Sequence, residues 1–267
     1  METVVVKLGG GAITHKDANE RRVRGEVVRG AARELRRALE ERPARVVLVH
    51  GAGPFGHGLV AAHGIADGVA TRAQVEGFVQ TVASVRELDR QVAEIFSEEG
   101  CLVFPLQPSA CVIKREHRVE SLFLEPLERL LALDARIVPL LYGDMVVDLT
   151  LGASVVSGDE LVAEVARRLG ARRVLLGTAV AGIFTADPKL DPGAQRVPRV
   201  DRGNLEQVLA GVGGATSVDV TAGMRGKVLS IAAALAGREV LVFDLTEEGS
   251  LYRALTGRLV DGTWICL

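Results

Sequence analysis

The sequence predicts an α/β fold, a three-layer sandwich with a largely parallel central sheet. Short apolar runs rich in β-branched residues alternate with longer segments in which apolar residues recur at helical spacing. The connections are short, and no repeat or low-complexity tract interrupts the alternation. With 48% hydrophobic residues, the 267-residue chain can bury a sizeable core. The length allows one large domain or two smaller ones, and since the sequence shows no linker we expect a single domain over residues 1–267.

The predicted strands are short apolar runs that end in turn-forming residues, as buried strands do. The first, Val4–Leu8, runs into three glycines, and the second, Arg45–Val49, runs into a glycine-rich loop. Residues 143–156 have the alternation of a hairpin, and Thr263–Cys266 is predicted to be an edge strand. The other strands are expected at 102–104, 111–113, 136–141, 173–176 and 239–243.

The predicted helices carry apolar residues on one face and charged residues on the other. A helix over about 19–41 has arginines opposite its apolar stripe. A long helix over about 71–98 has a stripe that we expect to be core, formed by Val75, Phe78, Val79, Val82, Val85, Val92 and Ile95. Shorter helices are expected near 58–63, 125–132, 161–169, 203–210 and 231–235.

Composition excludes several classes of protein. The net charge is −2 and there is no basic tract, so no nucleic-acid partner is expected. No apolar run reaches the roughly 18 residues of a membrane span, and the N-terminal residues form a strand with a lysine in it. Cys101, Cys111 and Cys266 are an odd set without metal-ligand spacing, which favours a reducing, cytoplasmic location.

Two glycine-rich segments follow the first two strands. Gly9–Gly11 comes after the first, and His50–Gly58, read as a loop, comes after the second. Glycines let backbone amides approach an anion closely, and His57 can donate a hydrogen bond to a phosphate oxygen. A tight turn that merely needs positive φ explains such a loop equally well. We expect the other histidines to be structural or at the surface: His15, His50, His63 and His117.

Lysine is rare in this chain, and its placement is informative. There are 27 arginines and five lysines, and Lys7, Lys16 and Lys227 lie in or beside glycine-containing junctions. Lysine is a compact charge on a flexible stem, suited to following a phosphoryl group as it moves. Chance placement remains an alternative.

Ser157-Gly158-Asp159-Glu160 stands directly before an apolar helical run. The spacing of Ser157 and Glu160 is that of a capping box, and on that interpretation Asp159 is simply favoured by the helix dipole. Ligands bind beyond the carboxyl ends of parallel strands, where these loops would supply lysines, backbone amides, a histidine and a carboxylate. This combination of groups indicates phosphoryl transfer. The sequence has no GxxxxGK[ST] motif, which excludes a P-loop NTPase, and no nucleophile in a GxSxG setting.

Together these motifs resemble the amino acid kinase superfamily, in order and spacing along nearly the whole chain. Phe55-Gly56-His57, Gln107-Pro108-Ser109, the segment 143–148 and Ser217–Thr221 are most similar to its isopentenyl phosphate kinase branch. The resemblance implies phosphorylation of isopentenyl phosphate by ATP with Mg²⁺, in a homodimer. It also implies an acceptor-binding N-terminal lobe of about 1–170 and a nucleotide-binding C-terminal lobe of about 171–267.

The resemblance also implies residue roles. Lys7, Lys16 and Lys227 would bind the transferring phosphates, Asp159 would hold these lysines, and His57 would bind the acceptor phosphate. The nucleotide would be bound by Lys7, Gly9, Gly10, Gly11, Gly53, Gly182, Gly223 and Lys227. The acceptor would contact Ala52, His57, Phe78, Val82 and Gly158.

The chain departs from the family pattern at several positions, and two rival functions remain. Gly11 replaces a usual serine, and alanines replace a glycine or an aspartate at Ala52, Ala179, Ala181 and Ala222. Fosfomycin kinase shares the Gly-x-Phe-Gly-His loop but accepts a small polar phosphonate. A non-catalytic nucleotide-binding regulator is the rival of another class. Asp144 fits either a water-mediated metal contact or a turn.

Overall fold

A computed structural model describes residues 1–15, 21–186, 191–212 and 234–267. Its main feature is an eight-stranded sheet in the order β12-β14-β13-β9-β1-β2-β6-β3. All neighbouring pairs run parallel except β13 and β14, which are antiparallel. The strands are β1 (Thr3–Leu8), β2 (Arg45–His50), β3 (Leu102–Pro105), β6 (Ile137–Tyr142), β9 (Arg173–Thr178), β12 (Arg199–Asp201), β13 (Glu239–Asp244) and β14 (Gly262–Cys266).

Helices cover both faces of this sheet, so the predicted three-layer α/β sandwich is confirmed. The alternation along β1 shows the two faces directly: Val4 and Val6 pack into one core cluster and Val5 into the other. A strand buried on both faces reads as a continuous apolar run, which is why β1 was recognisable from sequence. The described helices are α1 (Gly10–Ile13), α2 (Gly25–Glu41), α3 (Pro54–Ala62), α4 (Arg72–Glu98), α5 (Glu125–Leu133), α6 (Gly158–Arg168), α7 (Leu205–Val212) and α8 (Ser250–Thr256).

A four-stranded sheet stands beside the main one, in the order β5-β4-β7-β8. The predicted hairpin forms its β7 (Asp144–Asp148) and β8 (Gly152–Val156), and the other two strands are β4 (Val112–Arg115) and β5 (Arg118–Leu122). Its inner face packs with α3 and α4 around Ile65, Met145 and Ala153. The small sheet and α4 therefore wall the same space. A short ladder of β10 (Ile183–Phe184) and β11 (Arg196–Val197) completes the described strands.

The structure corrects several predictions. The helix expected from about residue 19 begins at Gly25, because Val23 is still extended and forms a β-bridge with Thr14. Residues Thr263–Cys266 are not at the edge, since β12 pairs with the outer side of β14. On α4, Val75 and Val79 are exposed rather than core. No helix in the described ranges is long and apolar enough to cross a bilayer.

Candidate active site

A cavity of about 580 Å³ opens at the carboxyl ends of β1 and β2. This is the edge where ligands bind in parallel α/β sheets. Its walls come from the β1–α1 and β2–α3 junctions, the start of α6, the small sheet and one face of α4. The lining residues include Lys7, Gly10, Gly11, Ala52, Gly53, His57, Val60, Thr81, Val85, Asp144, Met145, Val155, Ser157, Gly158 and Asp159.

The two glycine-rich junctions pack backbone against backbone. A Cβ added at Gly10 would lie 2.6 Å from the amide nitrogen of Gly53, and one added at Gly51 would lie 2.7 Å from that of Gly10. Neither position can carry a side chain unless the loops move apart. Gly53 in addition has φ of +50°, a conformation that other residues rarely adopt. These glycines are therefore required by the approach of the loops to each other.

The segment read as a loop over 50–58 is half helix. Helix α3 begins at Pro54, with Gly53 as its N-cap, so His57 lies in its first turn. Proline at the first helical position is a known start signal that the sequence analysis did not use. The first turn of α3 lines the same cavity as Lys7, and the positive end of a helix dipole favours anions.

His57 lies at the mouth of the cavity and keeps contact with solvent. Partial burial lowers the pKa of its imidazole below the usual value, and the nearby charge of Lys7 lowers it further. Neutral imidazole is therefore the dominant form at neutral pH in the free protein. A neutral ring still carries one N–H, which can be donated to a phosphate oxygen.

Lys7 and Asp159 form the charged centre of the site. The Nζ atom of Lys7 lies 2.6 Å from Oδ2 of Asp159, and the lysine side chain is only 8% exposed. Asp159 stands in the first turn of α6, whose start is fixed by the predicted capping box of Ser157 and Glu160. A Cβ at Gly158 would lie 3.3 Å from Cε of Lys7, so a small residue leaves room for the lysine. The structure thus contains both the capping box of Ser157 and Glu160 and the contact of Asp159 with Lys7.

The part of the lining that comes from α3, α4 and the small sheet, here called the apolar end, is mostly apolar, although Thr81 and Asp144 also belong to it. Val60, Val85, Met145 and Val155 line it, from α3, α4 and the small sheet. Phe78 and Val82, expected to touch the acceptor, are outside the lining and pack behind it around Met145 and Ile65. Met145 and Val155 could not be predicted as site residues, because nothing in the local sequence shows which face of a hairpin turns toward α4.

The structure places the predicted site residues in three groups. Gly9 and Gly182 join Phe78 and Val82 outside the lining: Gly9 packs on the carbonyl of Gly177, and Gly182 on Thr263. Lys16, Gly223 and Lys227 lie outside the described residues. The cavity brings together Lys7, Gly10, Gly11, Ala52, Gly53, His57, Gly158 and Asp159.

His50, expected to be structural, is fully buried at the end of β2. Its Nδ1 faces the carbonyl oxygen of Gly51 at 3.1 Å, and its Nε2 lies 3.3 Å from Oδ1 of Asp89 on α4. The ring stacks on Tyr142. This contact ties α4 to the glycine-rich junction at the start of the cavity.

Asp144 is buried where β7 begins. Its carboxylate accepts hydrogen bonds from the backbone amides of Ser109 and Met145. Burial raises the pKa of Asp144 to about 6, and the bonds from Ser109 and Met145 oppose that rise. Within the described ranges, no group of three or more His, Cys, Asp or Glu side chains could hold a metal ion.

The groups that line the cavity are suited to phosphoryl transfer. Backbone amides, a buried lysine paired with a carboxylate, and a histidine at the mouth can align and neutralise phosphates. No described residue is set up as an activated nucleophile, and phosphoryl transfer requires none. The fold and site are those of an α/β phosphotransferase.

Comparisons with known proteins agree with this class. The model of the Amino acid kinase family matches residues 2–244. Isopentenyl phosphate kinase of Methanothermobacter thermautotrophicus is 32% identical, with 98% of each chain covered. The enzyme of that name from Haloferax volcanii is 34% identical over 87% of this chain and 88% of that protein.

Solved structures show the same similarity. An X-ray structure of isopentenyl phosphate kinase matches with a TM-score of 0.84 and 30% identity, covering 99% of this chain and 100% of the other. UMP kinase from Ureaplasma parvum, at 13% identity and a TM-score of 0.65, shares the fold alone. The chain belongs to the amino acid kinase family. The relatives reported above at 30–34% identity are isopentenyl phosphate kinases, so the resemblance drawn from the motifs is confirmed.

Proposed function

We propose that the protein phosphorylates isopentenyl phosphate with ATP, giving isopentenyl diphosphate and ADP. This proposal rests on the observation that one cavity is lined both by Lys7, which is paired with Asp159, and by apolar side chains such as Met145. Such a cavity suits an acceptor with a phosphate at one end and a short hydrocarbon chain at the other. The names of the full-length relatives support the same acceptor.

In the proposed reaction, an oxygen of the acceptor phosphate attacks the γ-phosphorus of ATP. The bond from that phosphorus to the β–γ bridging oxygen breaks, and its electrons leave with ADP. Lys7 neutralises charge on the transferring group, Asp159 holds the ammonium in place, and His57 donates to the acceptor phosphate. Lys16 and Lys227 are proposed as the further phosphate-binding cations.

Mg²⁺ is proposed to arrive with ATP as part of the substrate. This is consistent with the carboxylates present, because Asp159 is paired with Lys7 and Asp144 accepts two backbone amides. Gly10, Gly11 and Gly53 are proposed to face the nucleotide phosphates. A nucleotide-binding C-terminal lobe, contacts from Gly9, Gly182 and Gly223, a homodimer, and a cytoplasmic place in isoprenoid synthesis by a mevalonate route stay predictions.

A coupled ADP-release assay tests the proposal with three acceptors: isopentenyl phosphate, fosfomycin and acetylglutamate. Isopentenyl phosphate should exceed both others in kcat/KM by about 100-fold or more, since only its tail fills the apolar end. Mass spectrometry of the product should show isopentenyl diphosphate. Preference for fosfomycin or acetylglutamate, or no ADP release with any acceptor, would overturn the assignment.

A further inference from the structure

Lys114 is a buried lysine that the proposed reaction does not use. It lies on β4 of the small sheet, and its side chain is 2% exposed. Its Nζ atom donates to the carbonyl oxygen of Val155 at 2.6 Å and to Oε1 of Glu160 at 2.8 Å. A buried ammonium is costly unless it is paired and hydrogen-bonded, so both contacts are needed to keep it there.

Glu160 connects this lysine to the charged centre of the site. While Oε1 accepts from Lys114, Oε2 accepts from the backbone amide of Ser157 at 2.8 Å. The hydroxyl of Ser157 in turn accepts from the amide of Glu160. Lys114 therefore holds the side chain that fixes the first turn of α6. Asp159 is in that same turn, 2.6 Å from Nζ of Lys7.

We propose that Lys114 is a positioning residue: through Glu160 it sets where Asp159 stands, and through Asp159 the position of Lys7. It also balances the charge of Glu160 next to a site that must receive phosphates. Because Lys114 additionally holds Val155, which lines the apolar end, one side chain joins the acceptor wall to the phosphate end. The kinetic part of this inference rests on the proposed function, and the structural part does not.

The first experiment measures amide hydrogen exchange without substrates. In Lys114→Met, exchange in a peptide covering 157–162 should become about tenfold faster, while exchange in β1 should stay as in the wild type. The matched control is Arg115→Met, which removes an exposed cation from the neighbouring position on β4. Unchanged exchange at 157–162, or equally faster exchange throughout the chain, would overturn the inference.

The second experiment is a double-mutant cycle on kcat. Lys114→Met alone should lower kcat about tenfold, as misplacement of a reacting-site group does. In an Asp159→Asn background it should lower kcat less than twofold further, since both changes act through the same carboxylate. Another tenfold loss in that background would mean that Lys114 acts independently of Asp159, which contradicts the inference.

Glu160→Gln provides the second variant if Lys114→Met does not fold. Glutamine retains the capping box but removes the ion pair, so faster exchange at 157–162 and the same non-additivity with Asp159→Asn are expected. If the wild type does not turn over isopentenyl phosphate, the proposed function fails and the exchange experiment still decides the inference. If the wild type is active and exchange at 157–162 is unchanged in Glu160→Gln as well, only the inference fails.

Discussion

The polar and apolar ends of the cavity are built in different ways. At the polar end the two glycine-rich junctions contact each other through their backbones, so that a Cβ added at Gly10 would lie 2.6 Å from the amide nitrogen of Gly53. At the apolar end the contacts are between side chains such as Val85 and Met145, with Phe78 behind them. A backbone contact tolerates no substitution, whereas a side-chain wall can change size while the loops stay in place. The comparison suggests that chemistry and choice of acceptor are held by separate parts of the molecule.

Apart from the removal of Lys7, the largest effect is expected at the backbone contacts. Gly10→Ala must push the β1–α1 and β2–α3 junctions apart, and a displacement of about 1 Å costs about 10²-fold in rate. We expect kcat to fall about 100-fold for every acceptor. The control is Gly30→Ala on α2, where an added Cβ meets nothing within 4 Å. An active Gly10→Ala enzyme would show that the polar end is not rigid.

His57 comes next. A hydrogen bond to a charged phosphate contributes roughly 1.5–3 kcal/mol. His57→Ala should therefore reduce kcat/KM for isopentenyl phosphate by about 10- to 150-fold. His57→Gln, which can still donate, should recover part of the loss. Steady-state kinetics with the acceptor varied at saturating ATP measures both variants, and alanine performing like histidine would remove His57 from the site.

Substitutions at the apolar end should change the selectivity between short and long acceptors. Phe78 and Val82 support the wall that Met145 presents to the cavity. Phe78→Ala or Val82→Ala should let the wall recede and shift kcat/KM toward geranyl phosphate by about tenfold, since overpacking typically costs 1–3 kcal/mol. Val79→Ala, a change at an exposed position of the same helix, is the matched control. If the first two variants keep the wild-type ratio, these side chains are ordinary core.

The smallest effect on activity is expected at Asp144 and Asp148, the first and last residues of β7. Burial alone would raise the pKa of Asp148, but five donors, the backbone amides of 116, 117, 150 and 151 and the Ser154 hydroxyl, outweigh it and lower that pKa. Burial raises the pKa of Asp144 to about 6, although its carboxylate accepts from the amides of Ser109 and Met145 and from the Ser109 side chain. The same strand therefore carries one ionised carboxylate that stabilises the fold and one that opposes it.

The raised pKa of Asp144 and the lowered pKa of Asp148 contribute to the free energy of unfolding with opposite signs. The unfolded chain ionises Asp144 near pH 4 and the folded chain near pH 6, so its ionisation removes about 2–3 kcal/mol of stability across that window. Asp144→Asn should remove this decline. Its denaturation midpoint at pH 7.5 should therefore be higher than that of the wild type, and the difference between the two proteins should be smaller at pH 4.5. Asp148→Asn should instead lower the midpoint at pH 7.5, because the free energy of unfolding falls by about 1–3 kcal/mol. If both variants shift the midpoint at pH 7.5 in the same direction, the two aspartates do not have opposite effects on stability.

Most of the fold could be predicted because its strands are buried on both faces. β1 and β2 are apolar at nearly every position, which a short window of sequence reveals. The capping box at Ser157 is equally local, and it predicted the start of α6 and the place of Asp159. The pairing of Asp159 with Lys7 joins distant segments, and it was expected only from the resemblance to the family.

What could not be predicted depends on contacts between distant segments. Val75 and Val79 share a stripe with Val85, yet they are exposed because nothing described packs over that part of α4. Strand β14 looked like an edge strand, and only its pairing with β12 shows otherwise. The roles of Met145 and Lys114 follow from how the small sheet stands against α4 and α6, which no local pattern specifies.

The separation of chemistry from acceptor choice is tested most directly by Lys7→Ala. The measurement is the ratio of kcat/KM for isopentenyl phosphate to that for geranyl phosphate, in the wild type and in this variant. We expect kcat to fall about 10²- to 10³-fold for both acceptors, with the ratio unchanged within twofold. A ratio that shifts about tenfold, as expected for Phe78→Ala, would contradict the separation, because Lys7 would then also select the acceptor.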